Sequence, residues 1–136
     1  MEQVRYLYRL YTKTELAQRY GITTTALKKW YRFAGIIPPK KKGGFFTNDG
    51  VEAADYFYIA TKYRRLTHSE YLSDVLPAGG LSEYLLKANL MSLEEFIIRY
   101  IPEDARKNDI VVREILEKIR NNEAYQPDGF SVASVA

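Results

Sequence analysis

Apolar residues Leu16, Tyr20, Ile22, Leu27 and Trp30 fall at spacings that predict two short helices joined by a tight turn. Thr12-Lys13-Thr14-Glu15 has the capping-box pattern, which opens a helix running to about Tyr20. Gly21 is placed to end it, because glycine enters the left-handed region without a Cβ clash. Thr23 caps a second helix through about Ala34, and Gly35 followed by Pro38-Pro39 stops it. Lys40-Lys41-Lys42-Gly43-Gly44-Phe45-Phe46 predicts a glycine turn between two extended arms, a hairpin or wing. Thr47 or Asn48 then caps a helix over about 49–65, and the capping box Thr67-His68-Ser69-Glu70 opens a short one ending before Pro77.

Pro77-Ala78-Gly79-Gly80 is the clearest break in the chain and predicts a linker. Beyond it, helices are expected near 82–89, near 93–101 behind a third capping box at Ser92-Leu93-Glu94-Glu95, and near 103–121. The last places Val112, Ile115, Leu116 and Ile119 on one face, the expected dimer interface. Val4 to Tyr11 reads as a short strand or extended arm, and Gln126 to Ala136 as a loosely ordered tail. No internal repeat is visible. The expected fold is mainly α with a small β-wing: a winged helix-turn-helix over residues 1–76, then a helical dimerisation or regulatory region over 81–136.

The segment Lys13 to Phe33 meets the steric demands of a helix-turn-helix. Ala17 is the small residue where the second helix crosses the first, and Gly21 supplies the turn four positions later. Leu16, Tyr20, Ile22, Leu27 and Trp30 fill the wedge between the helices and the body.

Charge gives the other face of the second helix a role. Residues 1–66 carry 13 Lys/Arg against 5 Asp/Glu, a net of +8; residues 67–136 carry 7 against 12, a net of −5; the sum is the overall +3. Within residues 3–48, Arg5, Arg9, Lys13, Arg19, Lys28, Lys29, Arg32, Lys40, Lys41 and Lys42 face only Glu15. Such a half suggests a polyanionic partner. On a recognition helix, Thr23, Thr24 and Thr25 would point toward the major groove, with Lys28, Lys29 and Arg32 meeting phosphates or guanine. Tyr31 is equally suited to donating to a phosphate and to packing on the following loop. Lys40, Lys41 and Lys42 suit a wing lying along the backbone. Arg64 and Arg65 are weaker candidates of the same kind.

Composition narrows the remaining chemistry. The chain has 136 residues, 46% of them hydrophobic, enough for one sizeable core. It has no cysteine and one histidine, His68, so thiolate zinc sites, disulfides and His-rich metal sites are excluded. No apolar stretch is long enough for a membrane span, and no apolar segment follows Met1 to Arg5 as in a signal peptide. A cytoplasmic bacterial protein without cofactor, metal or indicated small-molecule effector is expected. Glu94-Glu95 and Glu103-Asp104 sit at expected helix starts, where they offset the macrodipole. Gly43-Gly44 and Gly79-Gly80 lack a phosphate-loop pattern, and Ser69, Glu70 and His68 cannot converge as a triad. No catalytic residue is expected. Tyr56, Tyr63 and Tyr84 are candidate lining for an aromatic pocket.

The order helix, turn, helix, wing, long helix, short helix resembles the DNA-binding half of the MerR family of bacterial transcription regulators, from about Tyr11 to Leu72. The resemblance rests on Tyr11-Thr12-Lys13-Thr14-Glu15-Leu16-Ala17, Tyr20-Gly21-Ile22, Ala26-Leu27-Lys28-Lys29-Trp30-Tyr31, Gly35-Ile36-Ile37-Pro38-Pro39, Phe46-Thr47, Val51 and Thr67-His68-Ser69-Glu70. It implies a DNA contact at Lys28, where the family usually has arginine, and a buried wing aromatic at Phe46. The wing here reads Gly43-Gly44-Phe45-Phe46 without the family's arginine, which leaves Lys40 to Lys42 to replace it. The absence of cysteine removes the family's metal and redox sensing. A narrower similarity is to MerR-type repressors encoded beside type V-K CRISPR-associated transposons of cyanobacteria.

A homodimeric, sequence-specific regulator, most simply a repressor on a palindromic double-stranded operator, is therefore expected. An excisionase-like architectural DNA-binding factor, or a protein-interaction module with an incidental basic face, stays open from the sequence alone.

Overall fold

The capping signals organise the chain as local chemistry requires. In a computed structural model, which describes residues 10–125, the first helix is α1, Lys13–Tyr20. Thr12 and Glu15 cap it reciprocally: the Thr12 hydroxyl accepts the Glu15 N–H and a Glu15 carboxylate oxygen accepts the Thr12 N–H at 3.0 Å. Gly21 closes it at φ 69°, with its N–H on the carbonyls of Ala17 and Gln18. α2, Thr24–Ala34, begins under the Thr23 hydroxyl and ends at Gly35, φ 70°. Thr47 caps α3, Asn48–Lys62. The Thr67–Glu70 box opens α4, His68–Glu70, which continues as a π-helical segment, Tyr71–Val75. α5 is Leu81–Asn89, α6 Leu93–Tyr100, α7 Glu103–Asn108 and α8 Ile110–Tyr125.

Two compact units result, one ending at Met91 and one starting at Ser92. In the first, α1 packs on α2, α2 on α3 and α4, and α5 on α3 and the π-helical segment. Its core joins Leu16, Ala17, Tyr20, Leu27, Trp30, Phe57 and Tyr71, with ring centroids 5.1 Å apart for Tyr20–Trp30 and 5.0 Å for Trp30–Phe57 and Phe57–Tyr71. In the second, α8 packs on α6 and α7 around Phe96, Ile97, Ile101, Val111 and Val112.

Four expectations need correction. The β-wing is absent: no strand forms among the described residues. The Gly44 N–H closes a turn onto the Lys41 carbonyl at 2.9 Å, with Gly43 at φ 76°, but the arms do not pair. Pro38 and Pro39 have no N–H to offer a ladder, and the Phe46 N–H bonds instead to the Tyr11 carbonyl at 2.9 Å.

Pro77 to Gly80 is not a division between units. It is a tight turn within the first, tied by the Ala78 and Gly80 N–H groups on the Val75 carbonyl, each at 3.1 Å. Proline and glycine mark a change of direction here, not freedom.

The helix expected over 103–121 is broken at Asp109, whose backbone is extended (φ −81°, ψ 111°) and whose carboxylate accepts the Val111 N–H at 3.0 Å. Its local cap outcompetes continuation. The proposed dimer face is also taken: Val112, Ile115 and Leu116 are buried within the chain itself and Ile119 is half-buried, so this face is not spare for a second copy. The short strand or extended arm expected over Val4 to Tyr11 lies outside the described residues except for Leu10 and Tyr11, which form no strand, and the loose tail expected from Gln126 lies outside them entirely.

Candidate nucleic-acid interface

The sequence of α2 separates two stripes. Leu27, Trp30 and Ala34 face the core, whereas Thr25, Lys28, Lys29 and Arg32, at i, i+3, i+4 and i+7, are all exposed. α2 contains no acidic residue, so neither its N-terminal partial positive charge nor its lysines are offset along the helix. The α1–Gly21–α2 geometry therefore presents an 11-residue helix with a continuous cationic outer face.

The three threonines divide. The Thr23 hydroxyl accepts the Ala26 N–H at 3.0 Å as an N-cap, which leaves its proton and one lone pair for another partner. Thr24 is half-buried and Thr25 is exposed on the stripe. Arg32 lies with its guanidinium carbon 5.6 Å from the Phe33 ring centre, a contact that stiffens the side chain without neutralising it.

Tyr31 turns away from a surface role. Its hydroxyl is shielded from solvent with no hydrogen-bond partner among the described residues, its ring lies 6.1 Å from Phe46, and burial raises its pKa. Of its two readings, packing on the following loop fits. Phe46 is buried beneath that loop, while Lys40, Lys41 and Lys42 are exposed on it. The lysines thus stand on a hydrogen-bonded turn rather than on a paired hairpin.

Arg19 must be withdrawn from the basic surface. Its Nε and Nη2 donate to Asp55 Oδ1 and Oδ2, both at 2.9 Å, and Nη1 donates to the Tyr11 hydroxyl at 2.9 Å. The Tyr20 hydroxyl donates to the same Asp55 carboxylate. The Arg19 and Asp55 side chains are only 5% and 4% exposed, so neither reaches a phosphate. The signal for this pair was Asp55 itself, an acid inside the apolar run Ala53 to Ala60 of α3. Arg64 is half-buried and donates to Asn89 at 3.4 Å; Arg65 is exposed in the left-handed region at φ 63°. His68 packs its ring 4.9 Å from Phe57 and 5.4 Å from Phe33.

A concavity of about 260 Å³ lies in the first unit between α3, the π-helical segment and the start of α5. Asp49, Glu52, Tyr56, Tyr71, Leu76 and Gly80 line it; Tyr63 and Tyr84 do not. Burial, with the Glu52 and Asp55 charges, pushes the Tyr56 hydroxyl up to about 12; burial and then Tyr56 raise Tyr71 further. Both hydroxyls stay protonated near neutrality and cannot act there as general bases. Among the described residues no His/Cys/Asp/Glu group could hold a metal ion, and no helix is long and apolar enough to cross a membrane. Comparison with known proteins returned no matching family model, no matching curated protein and no matching solved structure.

Proposed function

We propose that this protein is a sequence-specific, double-stranded DNA-binding transcription regulator of MerR type, working as a homodimeric repressor on a palindromic operator. The observation that carries the reading is the exposed, acid-free stripe Thr25-Lys28-Lys29-Arg32 on the second helix of a tight helix-turn-helix. A helix of this width and charge fits the major groove, where threonine meets base edges and lysine or arginine meets guanine and phosphate. Lys40 to Lys42 supply further phosphate contacts from the turn that follows. Because Val112, Ile115 and Leu116 are already buried, pairing of two copies uses another surface.

The test is selection of bound duplexes from a random pool. An enriched inverted repeat supports a dimeric regulator; no enrichment, with binding governed by salt alone, defeats sequence-specific regulation. On the enriched duplex, Lys28→Ala with Lys29→Ala is expected to lower the salt slope by about two units, roughly one for each phosphate that a lysine neutralises. An unchanged slope and affinity would remove α2 from the interface.

A further inference from the structure

The two lysine sets of the candidate interface stand on different segments: hydrogen bonds between buried residues tie the lysine turn to α1 and α3, and α1 packs on α2 with Tyr20 against Trp30. The Tyr11 carbonyl accepts the Phe46 N–H at 2.9 Å, where the lysine turn ends. The Tyr11 hydroxyl accepts Arg19 Nη1 at 2.9 Å, and the Arg19 guanidinium carbon lies 5.4 Å from the Tyr11 ring centre. Arg19 belongs to α1 and is held by both carboxylate oxygens of Asp55 on α3, which also accepts the Tyr20 hydroxyl. α3 itself starts directly after Phe46, under the Thr47 cap. The turn is thus fastened at its end to Tyr11 by one main-chain bond and to α3 by covalent continuity, and Arg19 with Asp55 closes the loop between those two anchors.

We infer that Arg19 and Asp55 are positioning residues for DNA binding: their buried pair holds the Lys40–Lys42 turn in register with Lys28, Lys29 and Arg32, so that one rigid duplex meets both sets. The inference rests on the DNA-binding reading. Its physical basis is preorganisation. A bidentate arginine–carboxylate pair fixes orientation as well as distance, and a turn already ordered before binding loses less conformational entropy when its lysines meet phosphates. Burial keeps both groups from touching DNA, so their effect on binding passes through the segments they brace.

A double-mutant cycle on the selected duplex, with the full chain, tests this. In the parent protein, Lys40→Ala with Lys41→Ala and Lys42→Ala should lower the salt slope by about one unit for each phosphate no longer neutralised. In an Asp55→Asn background the same triple change should lower it by about half as much or less, whereas Lys28→Ala with Lys29→Ala should keep its full effect. An undiminished contribution of the three lysines in that background overturns the inference, as does an equal reduction for both lysine sets. Should Asp55→Asn fail to fold, judged by Trp30 fluorescence, Tyr11→Phe, which deletes one hydroxyl of the path, carries the same measurement with the same selective expectation. A parent protein indifferent to Lys28→Ala with Lys29→Ala defeats the DNA-binding reading itself, a result distinct from loss of the coupling alone.

Discussion

The two units bury the faces of short helices with different materials. Residues 10–91 use rings packed tilted and edge-on, Tyr20, Trp30, Phe57 and Tyr71, and one buried ion pair, Arg19–Asp55. Residues 92–121 use Leu93, Phe96, Ile97, Ile101, Val111, Val112, Ile115 and Leu116, and no polar side chain there is among the buried residues described. Aliphatic packing supplies stability and tolerates exchange of similar volumes. A bidentate ion pair adds little net stability but admits one geometry. The unit with the cationic helix is the one built with that constraint.

The largest effects should separate these two cores. Asp55→Ala removes the carboxylate that takes two hydrogen bonds from the buried Arg19 guanidinium, for an expected loss of about 3–5 kcal/mol. Phe96→Ala should lose a similar amount, about 3–5 kcal/mol, through a cavity. They differ in rescue. Arg19→Met with Asp55→Leu should recover most of the first loss in urea unfolding followed by Trp30, the single tryptophan. A double variant as unstable as Asp55→Ala would show that the ion pair does more than orient.

Next comes pH, which should strain the units from opposite ends. Tyr56 has a folded pKa raised to about 12. Its contribution is therefore whole below the ordinary tyrosine value near 10 and lost as pH climbs through 12. Tyr20 and Tyr71 are raised in the same direction by burial. Alkaline titration followed by tyrosinate absorbance and Trp30 fluorescence should show cooperative loss of the first unit rather than independent ionisation. In the second unit, hydrogen bonds from the Ser92 N–H and hydroxyl hold the Glu95 carboxyl below its usual range. That contribution is present above the unfolded value of about 4.3 and lost as pH falls through the lower folded one. Circular dichroism of Ser92→Ala should show a smaller acid-dependent change than the parent.

Capping is a point where the units should behave alike. Thr12→Ala and Ser92→Ala each delete the hydroxyl of a complete capping box, for about 1 kcal/mol apiece in denaturant unfolding. A markedly larger loss at Thr12 would mean that the helix-turn-helix amplifies errors at its entrance through Tyr11.

The smallest expected change is a gain. Leu90 ends α5 at φ 55°, the residue is 86% exposed, and the Met91 N–H reaches back to the Leu85 carbonyl at 3.3 Å. That turn favours glycine, and Leu90→Gly should stabilise by up to about 1 kcal/mol, read as a raised urea midpoint.

Much of the local architecture was legible in the sequence. Thr12, Thr23, Thr67 and Ser92 cap the helices they were expected to cap, Thr47 rather than Asn48 caps α3, and Gly21 and Gly35 end their helices. Each depends on bonds within three or four residues, so the residues that make the signal also make the structure. The candidate site was legible in part. Lys28, Lys29, Arg32 and Lys40 to Lys42 are exposed where a polyanion could meet them, whereas Arg19, in the same basic run, is buried. Nothing near Arg19 in sequence distinguishes it, because its partner is 36 residues away.

The sequence by itself determined where helices begin and end, which face of α2 is apolar, and how charge is divided along the chain. The tertiary structure decided which charges remain on the surface, whether the arms of the Gly43 turn pair, and whether the apolar face of α8 is spare. Short-range hydrogen bonds and helical periodicity are properties of neighbouring residues. Burial, ion pairing and strand pairing are properties of segments that meet only after folding, and the Phe46–Tyr11 bond, Asp55 and the packing of α6 and α7 settled each one at a distance.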